Sequence, residues 1–312
     1  MRIFFATDIH GSEVCWRKFL NAGAFHRADV LIMGGDMTGK AMVPIVARNG
    51  GWHLTLQEQE HDLATEDEVR AMEKRIADRG YYPIRLSADE MAAWQADPSL
   101  VDAWFKAEML ANVERWMALA DERLKGSSIR CVVSPANDDI FELDPIIAAA
   151  ERVDLGESNT IELDGFTMVS TGWANPTPWN TFRELPEDQL RARIDDLVAG
   201  VGDKRRAIFN FHAPPYGSNL DNAPKLDADM RYVSGGQALV PVGSHAIRDA
   251  ILEYGPVLSL HGHIHEGRGA VKIGRTLAVN PGSTYEDGVL QAAIVDLDSK
   301  RGEVKRYLLI NG

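Results

Sequence analysis

The chain has 312 residues, 45% hydrophobic and 25% charged, the balance of an ordinary soluble globular protein. Its net charge is -13, from 33 basic and 46 acidic residues, which argues against general binding of nucleic acid or of anionic membrane, since neutralising phosphates takes Lys and Arg. No apolar run approaches the roughly 20 residues of a membrane span, and the length suits one large α/β domain or a core with a sizeable insert. The apolar start is interrupted by Asp8 and His10 and is too short for a signal peptide. Cys15 and Cys131 each sit in an apolar run; they read as buried free thiols, which points to a cytoplasmic protein.

The first element expected is a strand, Arg2 to Ala6, apolar enough to be buried on both faces and ending in Thr7-Asp8-Ile9-His10-Gly11. Ser12 then caps a helix carrying Val14, Trp16, Phe19 and Leu20. Val30 to Met33 reads as a second buried strand ending in Gly34-Gly35-Asp36.

From about Met37 to Gly126 the pattern changes. Val43 to Ala47 and Trp52 to Leu56 flank Asn49-Gly50-Gly51, a hairpin signal. Thr65/Glu68 and Ser87/Glu90 form capping boxes for two helices, the first closed by Gly80. Val101, Phe105, Met109, Val113, Trp116, Met117, Ala120 and Leu124 mark one face of a long helix. This stretch, 37–126, reads as an inserted hairpin-plus-helical cap, and its aromatic stripe as core.

The sheet pattern resumes at Ile129 to Val133, leading to Ala136-Asn137-Asp138-Asp139. Asp144-Pro145 resembles an N-cap followed by Pro at the first helical position. Strands are expected on both sides of Asp164-Gly165, a helix after Pro186, and a strand Ala207 to Phe211 that ends in His212. A loop rich in Pro, Gly, Asn and Asp runs to about Val242. Ser244 caps a helix, and Val257 to Leu260 ends in His261-Gly262-His263-Ile264-His265. Strands are expected again at Thr276 to Val279, Val289 to Leu297 and Val304 to Ile310.

Five apolar runs therefore end in metal-ligand residue types: Asp8/His10, Asp36, Asn137, His212 and His263/His265. The carboxyl ends of parallel strands converge on one crevice in open α/β sheets. Imidazoles, carboxylates and one amide suit Mn, Fe, Zn or Co better than Mg or Ca. Seven ligands are too many for one ordinary site and enough for two ions that share a bridging carboxylate.

The order D-x-H, G-D, N-D, H, G-H-x-H, with Asn280-Pro281-Gly282-Ser283 after it, resembles the calcineurin-like metallophosphoesterase superfamily. The resemblance covers the sheet pattern, 1–36 and 127–312, as a catalytic domain outside the insert. It implies a four-layer α-β-β-α sandwich with two mixed sheets. It also implies that Asp8, His10 and His265 hold one divalent transition-metal ion, that Asn137, His212 and His263 hold the other, and that Asp36 bridges them. Manganese is the leading candidate, with iron, zinc or cobalt as alternatives. The implied reaction is phosphodiester hydrolysis by a metal-bridging hydroxide. The family usually reads G-N-H-[DE] where this chain has Ala136-Asn137-Asp138-Asp139, so Asp138 replaces the His generally credited with stabilising the transition state or protonating the leaving group. An Asp carries no proton at neutral pH unless its pKa is raised, which favours diesters over monoesters.

His261, Tyr216 and Trp173 are candidate substrate contacts. Trp179, in the same loop as Trp173, could stack on a substrate ring, although loop aromatics also pack loops down. His26, His53, His61 and His245 carry no ligand spacing. Two rivals remain: a phosphomonoesterase or phosphoprotein phosphatase, and a catalytically weak metal-binding scaffold of the same fold. The expected partner is a small phosphorylated substrate, a nucleotide among the candidates, and the insert offers a surface for oligomerisation.

Overall fold

Alternating side chains on two sheets set the architecture. The computed structural model describes residues 1–312 apart from Ala228. The first sheet has six strands in the order Glu303–Asn311, Gln291–Asp298, Arg2–Ala6, Val30–Met33, Arg130–Val133 and Val153–Leu155. The second runs Gly269–Ile273, Thr276–Asn280, Leu258–Leu260, Ala207–Phe211, Phe166–Thr171 and Thr160–Leu163. Both are mixed. The strands that lead into the candidate ligands pair in parallel, and the antiparallel ones lie toward the edges.

Successive strand residues point to opposite faces. Ile3, Phe5, Ile32 and Val132 on one face of the first sheet meet Phe166, Met168, Ile208 and Leu260 of the second. Phe4, Leu31, Met33 and Val133 on the other face are covered by the helices Glu13–His26, Pro98–Leu124 and Leu143–Ala148. The outer face of the second sheet, with Val169, Phe209 and Phe211, is covered by the helices Glu187–Ala199 and His245–Tyr254. The chain is a mixed α/β sandwich, with helices on the outer faces of two packed sheets.

The stretch 37–126 divides in two. Its first part folds on a separate four-stranded sheet, in the order Gln59–Leu63, Gly51–Leu56, Ala41–Arg48 and Tyr81–Leu86, packed against the helix Glu66–Asp78 through Ile45, Leu54, Val69 and Ile76. Both capping boxes form. The long helix Pro98–Leu124 belongs instead to the main core. Its Met109, Val113 and Trp116 lie in the cluster that covers the first sheet, and Trp116 stacks on Trp16 with ring centroids 5.0 Å apart. The expected hairpin gains two further strands. One is reached through Gln57 and Glu58, both at positive φ without a glycine to announce the turn. Asp144 is not an N-cap. It lies in the first turn of Leu143–Ala148, and its carboxylate binds the Arg183 guanidinium at 2.5 Å.

One edge of the first sheet carries an ion cluster. Asp296 stands opposite both Arg2 and Arg306 and accepts from their guanidinium groups at 2.7 Å and 2.5 Å. The hydrogen bond from Arg2, more than any other influence, pulls its carboxyl down to about 2. A depressed pKa adds stability above the unfolded carboxylate range, and this is lost as pH falls toward the folded value. Asp296→Asn is therefore expected to cost about 1 kcal/mol at pH 7, discounted for solvent screening of the exposed Arg306, and progressively less between pH 5 and pH 3. Urea unfolding at the two ends of that range checks it; an equal loss at both would remove the ion cluster as the cause.

Candidate metal centre

The strand Arg2–Ala6 delivers Asp8 and His10, Val30–Met33 delivers Asp36, and Arg130–Val133 delivers Asn137. From the second sheet, Ala207–Phe211 delivers His212, and Leu258–Leu260 delivers His263 and His265. The two sheets thus contribute from both sides of one crevice, at the carboxyl ends of parallel strands.

Three carboxylate–imidazole groups form there, one of them His10, Asp36 and Asp138, which overlaps the other two. Of those two, Asp8, His10 and His265 make one, and Asp36, His212 and His263 make the other. The Nε2 atoms of His10 and His265 are 3.1 Å apart, and His265 Nε2 is 3.4 Å from Asp8 Oδ1. Asp36 lies between the groups, its Oδ2 3.3 Å from His212 Nε2 and 3.9 Å from His10 Nε2. Asn137 Oδ1 and His212 Nε2 are buried and have no hydrogen-bond partner among the described residues. Asn137 Oδ1 offers a lone pair to the crevice, as His212 Nε2 does once a metal ion displaces its proton, and buried polar atoms are normally satisfied. This donor set, nitrogens and oxygens around two buried carboxylates, fits a pair of divalent transition-metal ions.

The electrostatics point the same way. Burial alone would raise Asp8, yet His212 and His265 hold it below the usual carboxylate range. Asp36, also buried, is held well below that range, chiefly by His212. Burial would lower His212, but Asp36 and Asp8 push it up to about 9. The two carboxylates thus favour a positive charge at this spot, whether a proton or a metal ion. His263 is pushed down to about 4 by burial and by His212, which keeps it neutral and able to donate a lone pair.

The backbone around these residues is strained. Asp8, His10, Asp36 and His263 all have positive φ, at 55°, 39°, 50° and 66°. Such conformations cost about 1 kcal/mol or more each outside glycine and persist where surrounding structure enforces them. The enforcing contacts are visible. The His263 N–H donates to both Asp8 oxygens at 3.1 Å, and the Asp138 N–H donates to Asp36 Oδ1 at 3.0 Å. His212 Nδ1 lies 3.1 Å from the Gly34 carbonyl, a contact that puts the proton on Nδ1 and frees Nε2 for the crevice.

Two further anchors explain motif residues. Asn280 donates to the carbonyls of Gly262 and Ile264, at 3.2 Å and 2.9 Å, and so orients the loop bearing His263 and His265. Ser283 donates to the Asp8 carbonyl at 2.6 Å. Gly262 has no room for a side chain, since a Cβ there would stand 2.2 Å from Asp8 Oδ2. Gly262→Ala is expected to displace that carboxylate and weaken metal binding at least tenfold, about the effect of losing a supporting contact around a metal ligand. Calorimetric Mn titration checks this; unchanged affinity would mean that Asp8 is no ligand.

The cleft above these candidate ligands has a volume of about 1350 Å³ and reaches Asp36, Asn137, Asp138, His263 and His265. None of the three expected substrate contacts lines it. His261 is fully buried, with Nδ1 2.8 Å from the Phe211 carbonyl and 3.0 Å from that of Ala213; it pins neighbouring strand ends together. Tyr216 stacks on His245, with centroids 3.9 Å apart. Trp173 is held against Arg193 and Phe141. Trp179 does line the cleft.

Asp138 lies at the metal end, with Oδ2 4.0 Å from His10 Nδ1 and 2.7 Å from Lys40 Nζ. Burial and Asp36 push it up to about 6, against the pull of Lys40, so its carboxyl departs from the ordinary aspartate range. Lys40 had no signal in the sequence, being neither at a strand end nor in a motif. Asp139 also gains a role. Buried, it accepts from the N–H groups of Met37, Thr38 and Ala136 and so fixes the loop after Asp36 to the loop that carries Asn137.

No family model matches the chain. A stretch of 122 residues, 38% of the chain, is 31% identical to the uncharacterized protein MJ1162 of Methanocaldococcus jannaschii and spans about half the length of that relative, 50%. Two solved structures share the fold at low identity. One, 15% identical, is covered over 98% of its length and covers 99% of this chain with a TM-score of 0.56. The other, TT1561 of Thermus thermophilus, is 14% identical and covers 100% of this chain and 97% of its own at a TM-score of 0.52. These two structures share the α/β sandwich of this chain, and the ligand residue types by which the sequence resembles the calcineurin-like metallophosphoesterases stand at its strand ends.

Proposed function

We propose that this chain is a dinuclear metal-dependent phosphoesterase that prefers diesters to monoesters. The observation that carries the reading is Asp36, a buried carboxylate between two Asp/His groups, each able to hold a metal ion. Asp8, His10 and His265 would hold one ion, Asn137, His212 and His263 the other, and Asp36 both. Two ions there would supply Lewis acidity toward the phosphoryl oxygens and a water of lowered pKa as nucleophile.

The chain's own residues do the rest. Asp8 and Asp36 are locked by the backbone N–H groups of His263 and Asp138, so neither reorients when a phosphoryl group enters. Lys40 and Asp138 face the same end of the cleft as an ion pair. The ammonium can bind a non-bridging phosphoryl oxygen, whereas the carboxylate repels the second negative charge of a monoester. That difference supports the diester preference. The buried thiols of Cys15 and Cys131 suit a reducing cytoplasm.

The test is turnover by Mn-reconstituted protein. Bis(p-nitrophenyl) phosphate should be hydrolysed with a kcat/KM at least about tenfold that for p-nitrophenyl phosphate, and chelation should abolish both. Inertness toward both esters at full metal occupancy would sink the reading, and a monoester preference would reverse its second half.

A further inference from the structure

The cleft is far larger than a phosphoryl group requires, and its walls carry a cluster of large apolar side chains. At about 1350 Å³ it exceeds even the 300–1,000 Å³ usual for drug-sized ligands. Twelve large apolar side chains are exposed among the described residues, and five of them, Phe141, Trp179, Phe182, Tyr232 and Val242, line this one cleft. Trp179 is 67% exposed and Tyr232 66%, an unusual exposure for rings that line a cavity. Scattered apolar residues need no explanation, but a contiguous apolar surface marks a binding site.

Most of the polar groups on these walls are already engaged. The hydroxyls of Thr177 and Thr181 both donate to Glu184 at 2.6 Å. Lys106 is paired with Glu142 at 2.6 Å, and Lys40 with Asp138 at 2.7 Å. Asp102, Lys225 and Glu266 also reach the cleft, but they are exposed, form no ion pair among the described residues, and together carry one net negative charge. They build no second anion site. A nucleobase bound here would find ring faces to stack on but few free donors or acceptors for its edges, and unpaired polar edges are costly to bury.

We propose that the substrate is a phosphoester whose organic substituent is a long hydrocarbon chain, held along the walls formed by Phe141, Trp179, Phe182, Tyr232 and Val242 while the phosphoryl group sits at the metal end. This rests on the phosphoesterase reading for the chemistry, but the apolar walls can be tested without turnover.

The probes are methyl, butyl and octyl phosphonate, below micellar concentration, and adenosine 5′-monophosphate, each titrated calorimetrically into the Mn-loaded full chain. Burying successive methylenes should tighten binding, so the Kd for octyl phosphonate is expected to be at least about 30-fold below that for methyl phosphonate. It should also lie below that for the nucleotide. The Trp179→Ala/Phe182→Ala double variant, altered only at exposed rings, should lose most of the chain-length gain. An affinity independent of chain length, tighter binding of the nucleotide, no binding of any phosphonate, or a double variant that keeps the full gain would each overturn the proposal. A chain-length gain in a protein inert toward bis(p-nitrophenyl) phosphate would uphold the hydrocarbon cleft and sink the catalytic reading. Turnover of that diester without any gain would sink the cleft alone.

Discussion

Asp36→Asn is expected to weaken metal binding in both groups at once and to lower diester turnover by about three orders of magnitude, on the order of 4 kcal/mol of transition-state stabilisation. Asp36 Oδ2 is 3.3 Å from His212 Nε2 and 3.9 Å from His10 Nε2, and those imidazoles belong to different groups. Its Oδ1 already accepts the Asp138 N–H at 3.0 Å. An asparagine can keep that hydrogen bond only by turning its amide nitrogen toward His212, which removes both the negative charge and the shared oxygen. The substitution is isosteric and leaves the sheet cores untouched, so the fold should persist. Elemental analysis of the reconstituted variant separates the possibilities. Full metal content would show that Asp36 does not bridge, and loss from one group only would reduce it to an ordinary ligand.

Asp138→His is expected to raise the ratio of alkyl to aryl ester turnover about tenfold. A p-nitrophenolate leaves without a proton, whereas an alkoxide needs one. Burial and Asp36 push Asp138 up to about 6, so about nine tenths of it is charged at pH 7 and one tenth could act as an acid. The sign follows: any contribution of Asp138 as an acid falls as pH rises through 6. Bound cations oppose the upward shift and diminish that fraction further. An imidazole at the same position, with an ordinary pKa near 6.5, can donate a proton even when positive charge lies nearby. The comparison is made at equal metal occupancy between pH 5 and pH 8. An unchanged ratio, or wild-type alkyl turnover that does not fall with rising pH, would place the proton donor elsewhere.

Much of the candidate metal centre was legible in the sequence for a simple reason. A buried parallel strand is an uninterrupted apolar run, so the residue that breaks it stands at the strand's end, where the crevice lies. Asp8, Asp36, Asn137, His212 and His263 all announce themselves in this way. Residues that act through contacts between distant segments carry no such mark. Lys40 meets Asp138 and Asp139 meets Met37 only because two loops converge. The stacking of Trp16 on Trp116, across 100 positions of chain, explains why the long helix read as part of an insert when it covers the core. The strand Gln59–Leu63 is polar and exposed along much of its length and follows a turn without glycine, so neither alternation nor turn chemistry revealed it. Trp173 and Tyr216 follow strands, as substrate contacts often do, but Arg193 and His245 offered them partners away from the cleft. Trp179 has no such partner among the described residues and lines the cleft.

The measurement that bears most directly on the central claim is anomalous diffraction from crystals of the protein grown with manganese. Two peaks are predicted, one among Asp8, His10 and His265 and one among Asn137, His212 and His263, with the Asp36 carboxylate between them. A single peak, or peaks away from Asp36, would contradict the dinuclear account.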